Sequence, residues 1–375
     1  MNSKIKKILR GHDWILFSAS VLLVVMGLIS LFSTTQPELS NFYKQIMWLL
    51  VGVALFFVFS SIDYRLFRVH FSPVLFLYFI GILGLLAVHF FGTSIRGGTR
   101  WLALGPVHIE PVEILKIILV LILAKYFSMR HVELYRWRHI AISGFYILIP
   151  AALVLMQPDL GSFSILAAIW LGMILVSGIK FKHLAVICII GLLILMPAWA
   201  FMIEDYQKAR VVSFMNPELD PHGAGYNALQ AITATASGGL WGKGIAQGTQ
   251  SQLGFLPEAH TDFIFAALAE EFGVFMISVV LILYAVLFWR MMIITFNAED
   301  NFARLAVVGF SVIIILQVFL HSAMSLGLVP ITGLTLPFIS YGGSSLVTLF
   351  IALGIVQSIN RQSSLLNRKD VEEIA

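Results

Sequence analysis

The chain has 375 residues, of which 59% are hydrophobic and only 12% charged, with a formal net charge of +4. With a mean hydropathy of +0.92, this balance excludes a water-soluble globular domain. The mild positive charge does not mark a nucleic-acid partner, because no basic run is interleaved with aromatics. Cys188 is the one cysteine, so an intrachain disulfide and a cysteine zinc site are excluded, and it reads as a small hydrophobe.

Ten apolar runs approach the roughly 20 residues that cross a bilayer. They cover 14–33, 45–60, 72–91, 111–127, 140–156, 160–178, 183–202, 262–289, 305–325 and 337–359. The first follows basic residues as a signal peptide would, but its apolar core is too long, and it is read as a retained span. Orientation follows from Lys and Arg. Six of the 24 fall in outer segments (Lys44, Arg96, Arg100, Lys208, Arg210 and Lys243), Lys116 lies within a span, and the rest are inner. The expected fold is an all-α polytopic membrane protein, a single unit over 1–375. It has ten transmembrane helices, both termini cytoplasmic, and one long extracytoplasmic loop, 204–261, between helices 7 and 8. No internal repeat is visible, which argues against an inverted-repeat transporter.

Four outer segments are rich in glycine and polar residues, and all open onto one face: 92–110, 157–162, 204–261 and 327–345. In the first, Pro111 suits the opening turn of a helix, which does not need its missing N–H. Glu113 and Lys116 then share a helical face, either as a structural ion pair or as the wall of a pocket facing a charged headgroup. Gln157-Pro158-Asp159-Leu160-Gly161-Ser162 joins two spans with almost no loop. Asp159 either caps the following helix or pairs with Lys116 from a neighbouring span.

The third segment holds Lys208 and Arg210, then Asn216-Pro217, Asp220-Pro221 and the glycine-rich Ser237 to Gly244 stretch. A phosphate-binding loop would need glycine at Ser237 and Ser or Thr at Gly244, so an ATPase is rejected. Glycines with sparse cations still suit close approach to a diphosphate or a sugar, with ordinary surface turns as the plainer reading. Asp262 stands where this polar stretch enters an apolar span, half in water, a setting in which a carboxylate is poised as a general base. Glu270 and Glu271, about 12–14 Å further along a continuous helix, need protein partners. In the last segment, Pro337, the Gly342-Gly343 pair, Ser340, Ser344 and Ser345 imply a broken helix start with free N–H groups, or close packing of small residues.

In these blocks the sequence resembles the SEDS family, the RodA, FtsW and SpoVE proteins of shape, elongation, division and sporulation. The matching blocks are Gly98 to Leu102, Pro111 to Lys116, Gln157 to Ser162, Gly239 to Gly244, Leu256 to Phe265 and Leu336 to Ser345, in the family's order. The resemblance implies ten transmembrane helices in the bacterial plasma membrane, with the site facing outside. It also implies peptidoglycan glycosyltransferase activity on lipid II, a class B penicillin-binding protein as partner, and a catalytic role for Asp262. Glu110 and Val112 stand where the family usually has Gln and Ser, Phe275 replaces a common Gly, and His321 a common Asn. Glu258-Ala259-His260 leans towards FtsW, and Ile331-Thr332-Gly333 towards RodA.

The chemistry of the residues agrees. Polymerising a lipid-diphosphate sugar requires a base for the attacking hydroxyl and cations for the leaving diphosphate. The expected arrangement has Asp262 as base, with Arg210, Lys208, Arg100 and Lys243 as the cations. Ser340 and Ser344 are expected at the substrate, with Glu113, Lys116 and Asp159 supporting, Lys116 and Asp159 as an ion pair. No spacing amounts to a metal motif, although Mg²⁺ or Mn²⁺ could be shared by a carboxylate and the diphosphate. The rival readings are a lipid II flippase, a non-catalytic activator of a transpeptidase, and an O-antigen-type ligase or polymerase.

Overall fold

The computed structural model describes residues 11–36, 38–95, 98–105, 107–130, 136–201, 205–216 and 223–374. The expected inner basic residues Lys4, Lys6, Lys7 and Arg10, and also Arg96, Pro217, Asp220 and Pro221, lie outside the described residues.

The chain begins with α1 (Trp14–Thr34), α2 (Ser40–Ser61), the short α3 (Arg65–Val69) and α4 (Phe71–Phe91). A meander of β1 (Thr93–Ile95), β2 (Gly98–Leu104) and β3 (Val107–Ile109) leads into α5 (Pro111–Arg130). Next come α6 (Trp137–Leu155), α7 (Leu160–Val176) and α8 (Phe181–Phe201). The long polar stretch then folds as α9 (Asp205–Met215), α10 (Ala224–Ser237) and α11 (Thr249–Gln252). The chain closes with α12 (Ile264–Asn297), α13 (Asn301–Ser325) and α14 (Gly343–Ile374).

Each of the ten apolar runs falls within or largely within a helix. Among the described residues, seven helices are long and apolar enough to cross a membrane: α1, α2, α4, α6, α12, α13 and the first part of α14. The 17 residues of α7 and the stretch Phe181–Leu193 of α8 are apolar but shorter. Helix α5 carries Glu113, Lys116 and Lys125. The protein is a mostly helical, multi-pass membrane protein. The small antiparallel sheet is a departure from the all-α expectation, in a segment read from sequence only as polar loop.

Close approach between helices depends on small residues, as expected where lipid offers no hydrophobic drive for association. A Cβ at Gly354 of α14 would lie 2.8 Å from the Phe56 carbonyl oxygen of α2, and Gly52 faces the Phe350 ring. Helix α5 is buried along nearly its whole length and forms the middle of the core. Cys188 is exposed on α8, where an apolar environment of lipid would meet it.

At the end away from Asp262, Asp13 and Asp300 cap α1 and α13 by accepting from Leu16 N (3.1 Å) and Ala303 N (2.8 Å). The same carboxylates pair with Arg290 and Arg68, each at 2.7 Å. Helix α12 has one internal break, at Gly273, whose φ of 73° and ψ of −174° lie outside the helical range. That break could not be read from one glycine, which a helical pattern tolerates.

Candidate active site

Asp262 lies in the turn immediately before α12, half-buried, between the buried Thr261 and Phe263. The turn is tightly specified. Glu258 adopts φ of 57°, and its carbonyl oxygen accepts from Thr261 N (3.1 Å) and Phe263 N (3.3 Å). Leu256, Ala259 and Phe263 pack with Ala231 and Ala234 of α10, which seats the turn on an apolar patch. From the other side the 336–342 segment clamps it. The Ser340 hydroxyl donates to the Thr261 carbonyl (2.8 Å) and accepts from Leu336 N (2.9 Å), while Tyr341 N donates to the His260 carbonyl (3.1 Å). Gln45 of α2 closes the clamp by donating to Ser340 O (3.2 Å) and accepting from Gly342 N (3.3 Å).

Across from Asp262 stands Arg100 of β2. A Cβ on Gly333 would lie 3.6 Å from Arg100 Nη1 and 3.7 Å from Asp262 Oδ2, so guanidinium and carboxylate border the same bare glycine. Gly333 has φ of 69°, a conformation that suits glycine and places backbone in a space no side chain fills. His321 of α13 donates from Nδ1 to the Leu334 carbonyl (2.7 Å) and fixes this segment from below. Gly161 supports it from the side, since a Cβ there would sit 2.8 Å from Thr332 O.

The expected pair between Lys116 and Asp159 is not the one that forms. Lys116 folds onto Glu113, three residues earlier on the same face of α5, at 2.7 Å. Asp159 instead takes Arg100 at 3.4 Å and caps α7 by accepting from Ser162 N at 3.1 Å. The cause is the sheet. β2 delivers a second cation to Asp159, and the fully buried Lys116 finds its nearest anion one turn away.

Glu110, between β3 and α5, completes the group. Loss of solvent around its carboxyl, and then the charges of Glu113 and Asp159, push it up to about 8, against the lowering pull of Lys116 and Arg100.

Helix α9 flanks this centre. Gln207 donates to the Pro158 carbonyl (2.9 Å), docking the helix on the corner that holds Asp159. Arg210 donates to Ile331 O (3.4 Å), two residues from Gly333, and the half-buried Lys208 shares the helix. The structure therefore brings Asp262, Arg100 and Asp159 together, with Glu113 and Lys116 behind and Arg210 and Lys208 to one side.

Lys243, Ser340 and Ser344 are engaged elsewhere. Lys243 pairs with Glu270 at 2.8 Å, about 12 Å along α12 from Asp262. Ser340 is buried in the clamp. Ser344 accepts from Glu110 N (3.2 Å) and donates to His108 O (3.3 Å), tying α14 to β3.

The glycines of 238–244 also have a structural cause. Lys243 N and Gly244 N donate to the carbonyls of Glu270 (3.0 Å) and Glu271 (2.9 Å), and Val274 N and Phe275 N donate to Gly239 O (2.9 Å) and Leu240 O (3.2 Å). This segment lies backbone to backbone against the break in α12, and a Cβ at Gly242 would strike the Glu271 carbonyl. Sequence reasoning missed Gln45, and missed Ser33 and Gln252 as partners of Glu271. Two buried carboxylates in a span were the signal that such partners exist.

Among the described residues no group of three His, Cys, Asp or Glu side chains is placed to hold a metal. Arg100 also sits beside both aspartates, which does not make a dedicated cation cage.

A family model described as "Cell cycle protein", the FtsW/RodA/SpoVE model, matches residues 12–365. The chain belongs to this family. It is 37% identical over 346 residues to the peptidoglycan glycosyltransferase MrdB of Escherichia coli (strain K12), covering 92% of both chains. It is 36% identical over 304 residues to the probable peptidoglycan glycosyltransferase FtsW of Thiomicrospira cyclica, covering 80% of this chain and 77% of that one. Among solved structures, a chain from work on the coordination of polymerization and crosslinking by a peptidoglycan synthase complex superposes with a TM-score of 0.82. The identity there is 30%, over 94% of this chain and 98% of that one.

The departures from the usual family residues now have places. Phe275 packs against Trp241 with ring centroids 5.7 Å apart, His321 holds Leu334, and the Glu110 amide is held by Ser344.

Proposed function

We propose that this peptidoglycan glycosyltransferase builds glycan strands by transferring disaccharide-pentapeptide units from lipid II, releasing undecaprenyl diphosphate, with Asp262 as general base. The observation that carries the reading is Asp262 and Arg100 converging at Gly333, with Asp262 on a clamped turn at the end of an apolar helix. Asp262 takes the proton of the acceptor's 4-hydroxyl as that oxygen attacks the donor's anomeric carbon, and the diphosphate leaves with inversion. Arg100, Arg210 and Lys208 are the cations that offset the diphosphate's charge, arginine being suited to bidentate contact with its oxygens. Lys243, Ser340 and Ser344 act by holding the surrounding backbone. Glu113, Lys116 and Asp159 fix the electrostatic setting of Arg100. A divalent cation, where one is used, would be held by Asp262 and would help offset the charge of the leaving diphosphate.

The reading also includes ten spans with both ends cytoplasmic, the site on the outer side of the bacterial plasma membrane, and a class B penicillin-binding protein as partner. It works in elongation or division. A flippase would need polar groups through both leaflets, whereas the charges grouped around Asp262 lie at one end of the helices. The experiment is incubation of the purified protein with lipid II, alone and with its partner transpeptidase. Glycan polymer supports the reading, and its absence in both arms overturns it.

A further inference from the structure

The segment 238–255 was read from sequence as part of a hydrophilic loop, yet most of its exposed side chains are apolar, with Gln247 and Thr249 the polar ones. Leu240 is 70% exposed, Trp241 77% and Leu253 67%, with Ile245 and Phe255 also exposed. Lys243 is the one Asp, Glu, Lys or Arg in this segment, and it reaches Glu270 of α12. Exposed Val274 and Phe275 continue the patch onto α12, where Leu281 and Ile282 carry the exposed apolar surface onward along the helix.

Helix length sets the depth of this patch. All 34 residues of α12 would make about 51 Å of helix, more than a bilayer with its headgroups, at about 40–45 Å, accommodates upright. The part after Gly273 is about 36 Å long and crosses the roughly 30 Å hydrocarbon core by itself. Gly273 therefore falls at the outer boundary of the core, and 238–244 lies beside it. The backbone groups at the break are bonded to that segment: the Glu270 and Glu271 carbonyls accept from it, and the Val274 and Phe275 amides donate to it. Such internal pairing is what non-helical backbone requires where water is scarce.

We propose that the rim formed by Leu240, Trp241, Ile245, Leu253, Phe255 and Phe275 contacts lipid in the outer leaflet, with Trp241 at headgroup level, so that 238–255 is a membrane-surface element. Tryptophan is enriched at that level because its ring is amphipathic. This contact would hold the outer end of α12, and with it the Asp262 turn, at a fixed height over the bilayer. It rests on the outward orientation of this loop and is independent of the chemistry assigned to Asp262.

The test is fluorescence quenching, not activity. In a Cys188→Ser background, Trp241→Cys and Leu253→Cys are each labelled with bimane. The protein is placed in nanodiscs of palmitoyl-oleoyl phosphatidylethanolamine and phosphatidylglycerol. Lipid carrying a nitroxide at a shallow acyl position should quench both labels, and aqueous iodide should quench them about threefold less than the free glutathione–bimane conjugate. Iodide quenching equal to the free conjugate, without nitroxide quenching, would overturn the proposal in favour of a solvated loop. Protection from both quenchers would overturn it in favour of a protein-covered face. The two positions are independent, so a variant that does not fold leaves the other to decide.

Discussion

Helix α12 and the turn that precedes it carry carboxylates at two levels, and their surroundings differ in kind. Glu270 is fully buried and accepts from Lys243 Nζ, Thr249 Oγ1, Gln250 N, Ser251 N and Ser251 Oγ, at 2.8–3.2 Å. Asp262 is half-buried in the turn before the helix, with Arg100 bordering the same glycine, Gly333. A carboxylate saturated by donors has its charge fully used in holding the fold. One at a water boundary beside an arginine retains an accessible face for a proton or a cation. The two levels lie about 12 Å apart, so burial, more than residue type, divides structure from chemistry. The pair of Lys116 and Glu113 belongs with Glu270, being buried and mutually satisfied.

The largest expected effect on stability is at that buried pair. Lys116→Met and Glu113→Leu should each cost about 3–5 kcal/mol in detergent, because each strands a buried charge. The double change should recover much of the loss. Additive losses in thermal unfolding would show that the two charges are held by other groups. Glu270→Ala comes next, at about 3 kcal/mol, the lower end of the range because Lys243 regains water more easily with a side chain 28% exposed. Specific activity of the folded fraction should be little changed, and a large fall in it would break the division drawn between the two levels.

Gly333→Ala sharpens the comparison from the other side. A positive φ of 69° costs a side chain about 1–2 kcal/mol, and the methyl would touch both Arg100 and Asp262. The contacts themselves are ordinary, so the strain at this φ is what would shift the segment beside Arg100 and Asp262. Transfer should fall about tenfold, with only a small shift in unfolding temperature.

Glu110→Gln is expected to be the mildest. A carboxyl pushed up to about 8 is protonated in the folded protein at pH values where it ionises in the unfolded chain. Its stabilising contribution is therefore complete below the ordinary glutamate range and is lost as pH rises towards 8 and beyond. Glutamine keeps a neutral side chain throughout, so the variant's unfolding temperature should fall less than the wild type's between pH 5 and pH 9. Parallel curves would show that Glu110 ionises normally.

Much of this was legible in the sequence. The apolar runs locate the helices, Pro111 opens α5, Asp159 caps α7, and the four polar segments gather around Asp262 as their shared face requires. What stayed hidden depends on through-space placement. Lys116 had two anions within plausible reach, and only the sheet, which carries Arg100 to Asp159, decides between them. The short strands 93–109 carry too few residues to show a clear alternation. The glycines of 238–244 suggested close approach to a ligand, whereas the close approach is to the backbone of α12. The Gly273 break is silent because a single glycine inside a helical pattern reads equally well as helix.

The most direct test of the account is Asp262→Asn, purified and assayed for polymer from lipid II beside its unfolding temperature. The substitution keeps volume and removes the proton acceptor. The account predicts a rate lower by a factor of about 10²–10⁴, with the protein still folded and its loss of stability smaller than that of Glu270→Ala. Polymer at near wild-type rate would contradict the assignment of Asp262 as the base.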